Sequence, residues 1–99
     1  GFRPAWVMFK RTNGSADWGI VNIKSSPRAA GTETNDMAYQ LEPNQNAAEA
    51  NQIDFWFLSN GFKLDGSGSY ANGSGDTYFY MAFADHPFVS SKGVPCTAR

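Results

Sequence analysis

The feature that most constrains this fold is a series of short apolar and aromatic runs, each closed by a turn of Gly, Asn or Pro. In the run IDFWFL, residues 53–58, Ile53, Phe55 and Phe57 take alternate positions. Side chains at alternate positions share one face of a β-strand. The turn SNG and a further strand, FKL, follow. No segment carries the apolar stripe of a long helix. The pattern therefore predicts an all-β domain.

Two more runs predict a hairpin near the start of the chain. PAWVMFKRT (4–12) and WGIVNIK (18–24) flank the turn segment NGSAD, and Asn-Gly is a strong hairpin dipeptide. In the first run, Val7 and Phe9 share one face, and Trp6 and Met8 share the other. The polar segment 25–36 predicts a loop, and MAYQLE (37–42) predicts a third strand.

The run TYFYMAFAD, residues 77–85, is almost continuously apolar. Phe79, Met81 and Phe83 occupy one face of the predicted strand, and tyrosines and alanines occupy the other. Because both faces of the strand carry apolar or aromatic residues, both are expected to be covered, and the run predicts a strand in the centre of a sheet. The preceding stretch DGSGSYANGSGD (65–76) is predicted to connect two strands of one sheet. The segments on either side of it are each too short to fold alone, as units joined by a flexible linker would.

The remaining segments complete the predicted architecture. Residues 44–52 could form one helical turn, and the tail from residue 89 onward is predicted to be irregular. The whole pattern predicts one domain over residues 1–99, an antiparallel β-sandwich of jelly-roll or lectin-like type with about six to eight short strands.

Composition excludes several classes of function. The net charge is −1 and the eight basic residues are scattered, whereas charge-driven nucleic-acid binding needs clustered Lys and Arg. The longest apolar run is too short to span a bilayer, so no membrane insertion is expected. One cysteine, Cys96, excludes an internal disulfide framework. The chain begins with Gly rather than Met, so it is expected to be processed or to be a module of a longer protein.

The polar residues give no recognisable catalytic or metal motif. Asp65, Asn72 and Asp76 offer oxygen ligands, but their spacing does not match an EF-hand loop. Gly75 is followed by Asp76 rather than by the Lys of a phosphate-binding loop. A lone His86 beside an Asp does not make a triad. No cofactor, no metal and no catalytic activity are expected.

Aromatic residues are the better candidates for contacts, because they make up 15% of the chain. Aromatic faces stack on sugars and anchor protein interfaces. Trp18 and Tyr70 are expected to be exposed and to contact a ligand or partner. Core packing is favoured for Trp6 and Trp56. Trp56 and Asn72 nevertheless complete the set of candidate contact residues.

The chain resembles a domain that recurs in large structural proteins of tailed bacteriophages, notably marine ones. The opening GFRPAW through KRT matches, as do Trp18 and Ile20 in the second strand. Residues 54–64, which include SNGFKL, and residues 72–88, which include TYFYMAFA, match two further blocks, and TAR matches the end. Cys96 departs from the family pattern, where small residues such as Ala are usual.

The resemblance implies a virion structural module of tail-fibre or appendage type, located in the virion and without catalytic residues. Its expected partners are other virion proteins, further copies of itself, and host-surface carbohydrate. Three alternatives stay open at this point. They are a small glycan-depolymerising enzyme with a carboxylate pair such as Asp54 with Asp76 or Asp85, a free lectin, and a capsid decoration protein.

Overall fold

The structure is a computed structural model that describes residues 1–25, 37–68, 70–86 and 88–96. The described part contains nine short strands and no helix, and every strand pairing is antiparallel, which confirms the all-β prediction. The strands are β1 (Pro4–Arg11), β2 (Gly19–Asn22), β3 (Tyr39–Gln40), β4 (Ala50–Asn51), β5 (Asp54–Leu58), β6 (Gly61–Asp65), β7 (Tyr78–Ala84), β8 (Phe88–Val89) and β9 (Pro95–Cys96).

The largest sheet has three strands in the order β2-β1-β7. The predicted β1–β2 hairpin is confirmed, with Met8 opposite Ile20. On its other side β1 pairs with β7, where Met8 lies opposite Met81. The prediction that residues 77–85 form a central strand is therefore wrong for this sheet, because β1 is central and β7 lies at the edge. The long apolar run of β7 reflects an exposed apolar face rather than cover on both faces.

A single β-bridge connects this sheet to the separate β3–β4 pair. Ile20 and Leu41 exchange both backbone hydrogen bonds, at 2.9 and 3.0 Å, and this bridge joins β2 to the end of β3. β3 in turn pairs with β4, with Tyr39 opposite Asn51. The helical turn predicted within 44–52 is wrong. The segment has no apolar stripe to bury, and its end gains backbone pairing with β3 instead.

The β5–β6 hairpin follows its predicted alternation. Ile53 and Phe55 are buried, while Asp54 and Leu58 are exposed. Leu58 lies opposite Gly61, so Ser59 and Asn60 form the tight turn.

The core lies between this hairpin and one face of the three-stranded sheet. Phe55 is fully buried and stacks on Phe62 at a centroid distance of 5.1 Å, and Phe62 meets Tyr80 of β7 edge to face at 5.2 Å. We call the sheet face that contacts the hairpin the inner face. The β-sandwich, of jelly-roll or lectin-like type, stays a prediction. The buried cluster is Val7, Phe9, Val21, Met37, Ile53, Phe55 and Ala71.

The glycine-rich stretch 65–76 connects β6 to β7, as predicted. It passes from the β5–β6 hairpin to the three-stranded sheet, so the prediction that it joins strands of one sheet is wrong. Gly66 and Gly75 adopt backbone φ values of +76° and +78°, which residues other than Gly rarely adopt. The Asn13 side chain accepts a hydrogen bond from the Thr77 amide at 3.1 Å and donates one to the Gly75 carbonyl at 3.2 Å. Asn13 thus fixes where β7 begins.

The tail departs from the sequence prediction. Residues 88–96 form a small hairpin, β8–β9, in which the Ser90 amide donates to the Val94 carbonyl at 2.9 Å. Gly93, at a φ of +76°, permits the tight turn that polar composition alone did not indicate. Most of the loop predicted over 25–36, and the last three residues, lie outside the described residues. Within the described ranges, no helix is long and apolar enough to cross a bilayer.

The close packing around Gly19 gives a test of the core. A Cβ at Gly19 would lie 2.6 Å from Phe9 Cε2 and 2.8 Å from Gln40 Oε1, both in buried side chains. We expect Gly19→Ala to lower the free energy of unfolding by about 1–3 kcal/mol. Gly61→Ala is the matched control, because a Cβ there meets nothing within 4 Å, and its effect should stay within about 0.5 kcal/mol. Urea unfolding measures both, and equal effects would contradict this packing.

Candidate functional site

The face of the three-stranded sheet opposite the core is apolar and exposed. We call it the outer face, and on it Phe79, Met81 and Phe83 are 49%, 41% and 56% exposed. The register shows why they lie there: Val7 and Phe9 are buried on the inner side of β1, so the residues opposite Trp6, Met8 and Lys10 lie on the outer side of β7. The outer face comprises Trp6, Met8, Ile20, Leu41, Phe79, Met81 and Phe83.

One row of side chains crosses the whole outer face. Leu41 lies opposite Ile20, Ile20 opposite Met8, and Met8 opposite Met81. The two ends of the row, Leu41 and Met81, are the more exposed members, at 44% and 41%. The apolar surface of this row is removed from water only when another surface covers it. Contiguous exposed apolar patches on soluble proteins mark interaction sites.

Two aromatic pairs flank this row. Trp6 meets Phe83 edge to face at a centroid distance of 5.4 Å, and Trp18 meets Phe79 in the same way at 6.4 Å. Edge-to-face contacts are a favoured aromatic geometry and add to the stabilisation from buried area. The rings therefore restrict one another, and the outer face presents them in a defined arrangement.

A polar cluster holds Trp18 beside the outer face. The Trp18 backbone amide donates to Asn44 Oδ1 at 3.0 Å, and Asn44 donates to Asp17 Oδ1 at 2.7 Å. Gln45 donates to the same Asp17 oxygen at 3.0 Å. The hydrogen bonds from Gln45 and then from Asn44 lower the pKa of Asp17. The charged carboxylate therefore connects the segment after β3 to the two residues that precede β2.

The outer face carries little charge. β7 has no ionisable acid or base other than its tyrosines, and its sequence is YFYMAFA. Lys10 occupies an outer-face position on β1, but its Nζ donates to the backbone carbonyl of Ala16. The arrangement therefore suits burial against another apolar surface. It does not suit phosphate binding, which needs cationic groups that point into the site.

A second surface lies at the open end of the β5–β6 hairpin. We call it the acidic cleft; it encloses about 230 Å³ and is lined by Asp54, Asp65, Asn72 and neighbouring backbone. Asp54 and Asp65 lie directly opposite each other across the hairpin. Lys63 Nζ lies 2.8 Å from Asp65 Oδ2, and Asn72 donates to the Gly66 carbonyl at 2.8 Å.

The predicted contact residues fall on separate surfaces. Trp18 lies beside the outer face and is half-buried rather than exposed as predicted, and Asn72 lines the acidic cleft. Trp56, on β5, is half-buried, and Lys63 Nζ lies 5.0 Å from its ring centroid. Tyr70 is half-buried and packs against the core cluster, so the expectation of an exposed loop tip is wrong. Trp6 is half-buried on the outer face and does not belong to the buried cluster, contrary to the core role favoured for it.

Asp54 does not share the acidic cleft with Asp76 or Asp85, the carboxylates considered as its partners from the sequence. Asp76 makes an ion pair with Arg11 at 2.6 Å, and Asp85 lies 3.9 Å from Arg3. Neither lines the acidic cleft, where Asp54 faces Asp65 instead. The oxygens of Asp65, Asn72 and Asp76 are likewise not brought together in one cleft. Within the described ranges, no three His, Cys, Asp or Glu side chains gather as a metal site.

Sequence reasoning missed Leu41, Phe79, Met81 and Phe83 as candidate contact residues. It assigned the β7 residues to a central strand, because a continuous apolar run is typical of one. A signal was nevertheless present in β1, where Trp6 and Met8 alternate with Val7 and Phe9. Two neighbouring strands with apolar residues on both faces require two covering layers, and a chain of this length supplies few residues for the second.

The Lys63–Asp65 pair gives a pH-dependent prediction. The hydrogen bond from Lys63 is the largest cause that lowers the pKa of Asp65, followed by that from the Gly66 amide. A folded-state pKa below the unfolded value gives stability that is present above the unfolded pKa and lost as the pH falls through the folded pKa. We expect Lys63→Met to raise the pKa of Asp65, as measured by NMR titration of the carboxyl carbon.

Lys24→Met is the control for that titration, since it removes an equal charge from a lysine that does not bond to Asp65. An unchanged Asp65 pKa in Lys63→Met would show that the Gly66 amide alone sets it.

Comparison with known proteins identifies a family for this chain. No curated protein and no solved structure matches the chain. A family model described as "Domain of unknown function (DUF7483)" matches residues 1–87. The match includes the three-stranded sheet, the β5–β6 hairpin and both candidate surfaces. Because it covers most of the chain, this protein belongs to the DUF7483 family.

Proposed function

We propose that this chain is a non-catalytic structural module that assembles with other protein subunits through its outer face. The observation that carries the proposal is the exposed row Leu41–Ile20–Met8–Met81, with Phe79 and Phe83 beside it. The fully buried centres of protein interfaces are rich in aromatic residues and Met and poor in charge. The outer face has that composition.

A protein partner fits this face better than nucleic acid or a lipid surface does. Phosphate-rich partners are bound by clustered Lys and Arg, whereas the chain has a net charge of −1 and no basic residue on β7. Braced rings such as Trp6 with Phe83 offer large contact areas with little side-chain entropy to lose. Both properties favour a complementary protein surface.

The setting that we propose is a bacteriophage particle, in a tail fibre or appendage. The support comes from the sequence blocks SNGFKL and TYFYMAFA, which resemble such virion proteins. In the fold, SNGFKL forms the turn between β5 and β6 and most of β6, and TYFYMAFA forms β7. The resembling segments therefore build the outer-face edge and the hairpin beneath it. A capsid decoration protein would use the same face, and its position in the particle would distinguish it.

A second candidate function is contact with host-surface glycans at the hairpin. Trp56 and Lys63 lie opposite each other, on the same hairpin face as the Asp54–Asp65 pair of the acidic cleft. An aromatic ring beside carboxylate and amide groups suits a sugar, which has apolar faces and hydroxyl donors. A glycan array comparing the wild type with Trp56→Ala and Asn72→Ala tests it. Glycan cleavage lost in Asp54→Asn would favour the depolymerase alternative instead.

Hydroxyl-radical footprinting of the assembled particle tests the structural proposal. Met81 and Leu58 are both 41% exposed in the single chain, but only Met81 lies on the outer face. We expect oxidation of Met81, Phe79 and Phe83 to fall by at least about fivefold on assembly, because the face becomes buried as interface centres do. Leu58, normalised to its own rate in the isolated chain, is the internal control. Outer-face rates that are equal in the particle and the isolated chain would contradict the proposal.

A further inference from the structure

β7 is an edge strand without the usual protection of an edge. Among the described residues it pairs only with β1. Natural edge strands are commonly shielded by Lys, Pro, bulges or very short length. β7 has seven residues, YFYMAFA, with no Lys and no Pro. The pairing of β7 with β1 has a register irregularity between Pro4 and Trp6, which affects only one end of β7. Such a strand is a template for pairing with another chain.

The hydrogen-bond pattern identifies the backbone groups that face the open side. The Thr12 amide donates to the Thr77 carbonyl at 2.8 Å, so that pair is hydrogen-bonded. In an antiparallel ladder, hydrogen-bonded and non-hydrogen-bonded pairs alternate. Phe79 and Met81 therefore bond toward β1. Tyr80 and Ala82 point their backbone amides and carbonyls away from β1, toward the open edge.

We propose that a second copy of this chain pairs antiparallel with β7, about a twofold axis at Met81, and joins the two three-stranded sheets into one. The proposal rests on the proposed function: the paired copies would present one larger outer face to the subunit that covers it. Around this axis, Tyr80 lies opposite Ala82 of the second copy, and both residues carry outward-facing backbone groups. Met81 lies opposite its own counterpart, and Phe79 lies opposite Phe83 of the second copy.

This register places the exposed rings where strands approach most closely. Met81 with Met81, and Phe79 with Phe83, become non-hydrogen-bonded pairs, in which Cα atoms lie about 4.5 Å apart. Aromatic pairs at such positions stabilise antiparallel sheets. Because Phe79, Met81 and Phe83 share one side of β7, the two outer faces become continuous across the new pairing.

The inner side of the edge also has room for the second copy. A cleft of about 170 Å³ lies beside β7 and is lined in part by Pro4, Phe62, Tyr80 and Ala82. In the proposed register, Tyr80 of the second copy lies opposite Ala82, at this cleft. An apolar cleft beside an open strand receives a ring better than it receives water.

The charges at the two ends of β7 are compatible with antiparallel pairing. Arg11 and Asp76 form an ion pair at one end, and Arg3 lies close to Asp85 at the other. Antiparallel pairing therefore places the Arg11–Asp76 pair of one copy near the Arg3–Asp85 pair of the other. Each pair is close to neutral, so the two ends do not repel each other. The same register brings Asp76 near His86 of the second copy, which is exposed in the single chain.

Disulfide trapping tests the register directly. In a Cys96→Ser background, Met81→Cys should form a covalent dimer under mild oxidation, because a non-hydrogen-bonded pair has a Cα separation that suits a disulfide. Phe79→Cys and Phe83→Cys should each stay unlinked alone and should cross-link when mixed. Leu58→Cys is the control of equal exposure. Equal cross-linking of Leu58→Cys and Met81→Cys would overturn the proposal.

An edge substitution tests the pairing without a cross-link. Ala82→Pro removes a backbone donor that points away from β1, so it should leave the β1–β7 ladder in place. We expect it to raise the dimer dissociation constant by more than about tenfold in analytical ultracentrifugation, because each dimer loses two hydrogen bonds. Circular dichroism checks its fold, and if this variant does not fold, the trapping experiment decides.

The outcomes separate this inference from the proposed function. A wild-type chain that stays monomeric at every concentration up to its solubility limit, with no trapping at Met81, overturns self-pairing. If Met81 is nevertheless protected from radicals in the particle, the outer face binds a different subunit and the proposed function stands. If Met81→Cys is trapped as a dimer, and Phe79 and Phe83 of the wild type are protected in the particle, both proposals are supported.

Discussion

The packing of one hairpin against one side of β1 determines most of this structure. Phe55 and Phe62 cover the sheet face that Val7 and Phe9 form. Because side chains alternate along a strand, each residue buried under the hairpin turns its neighbour to the opposite side. Trp6 and Met8 are therefore directed outward by the burial of Val7 and Phe9. The outer face is thus a geometric consequence of how the core forms.

The sequence predicted local elements well, because alternation and turn residues act over a few positions. The β1–β2 hairpin, the β5–β6 hairpin and the connecting role of residues 65–76 follow from such signals. The position of β7 did not follow, since a continuous apolar run is typical both of a central strand and of an edge strand with an exposed face. Only the pairing of β7 with β1, across more than sixty residues of chain, distinguishes them.

The candidate site was harder to predict than the fold. Trp18 was among the predicted contact residues and lies beside the outer face. Phe79, Met81 and Phe83 were not predicted, because their exposure depends on which strands flank β7. Tyr70 shows the opposite error. It lies in a glycine-rich loop, where exposure is the usual expectation, yet it packs against the core cluster. Contacts between distant segments decide exposure in both cases, and composition carries little information about them.

The contacts of Asn13 have a consequence for how this domain could vary. A slip of one residue in the pairing of β7 would exchange its two faces, and Asn13 opposes such a slip by bonding to Gly75 and Thr77. Ala71 is buried and the Asn72 amide bonds to the Gly68 carbonyl, so those positions are also held. Ser67 is exposed and lies between these anchored segments. Extra residues at that point would lengthen the loop while the strand order and the alignment of β7 stayed the same, which makes Ser67 the natural place for the domain to carry a variable insert.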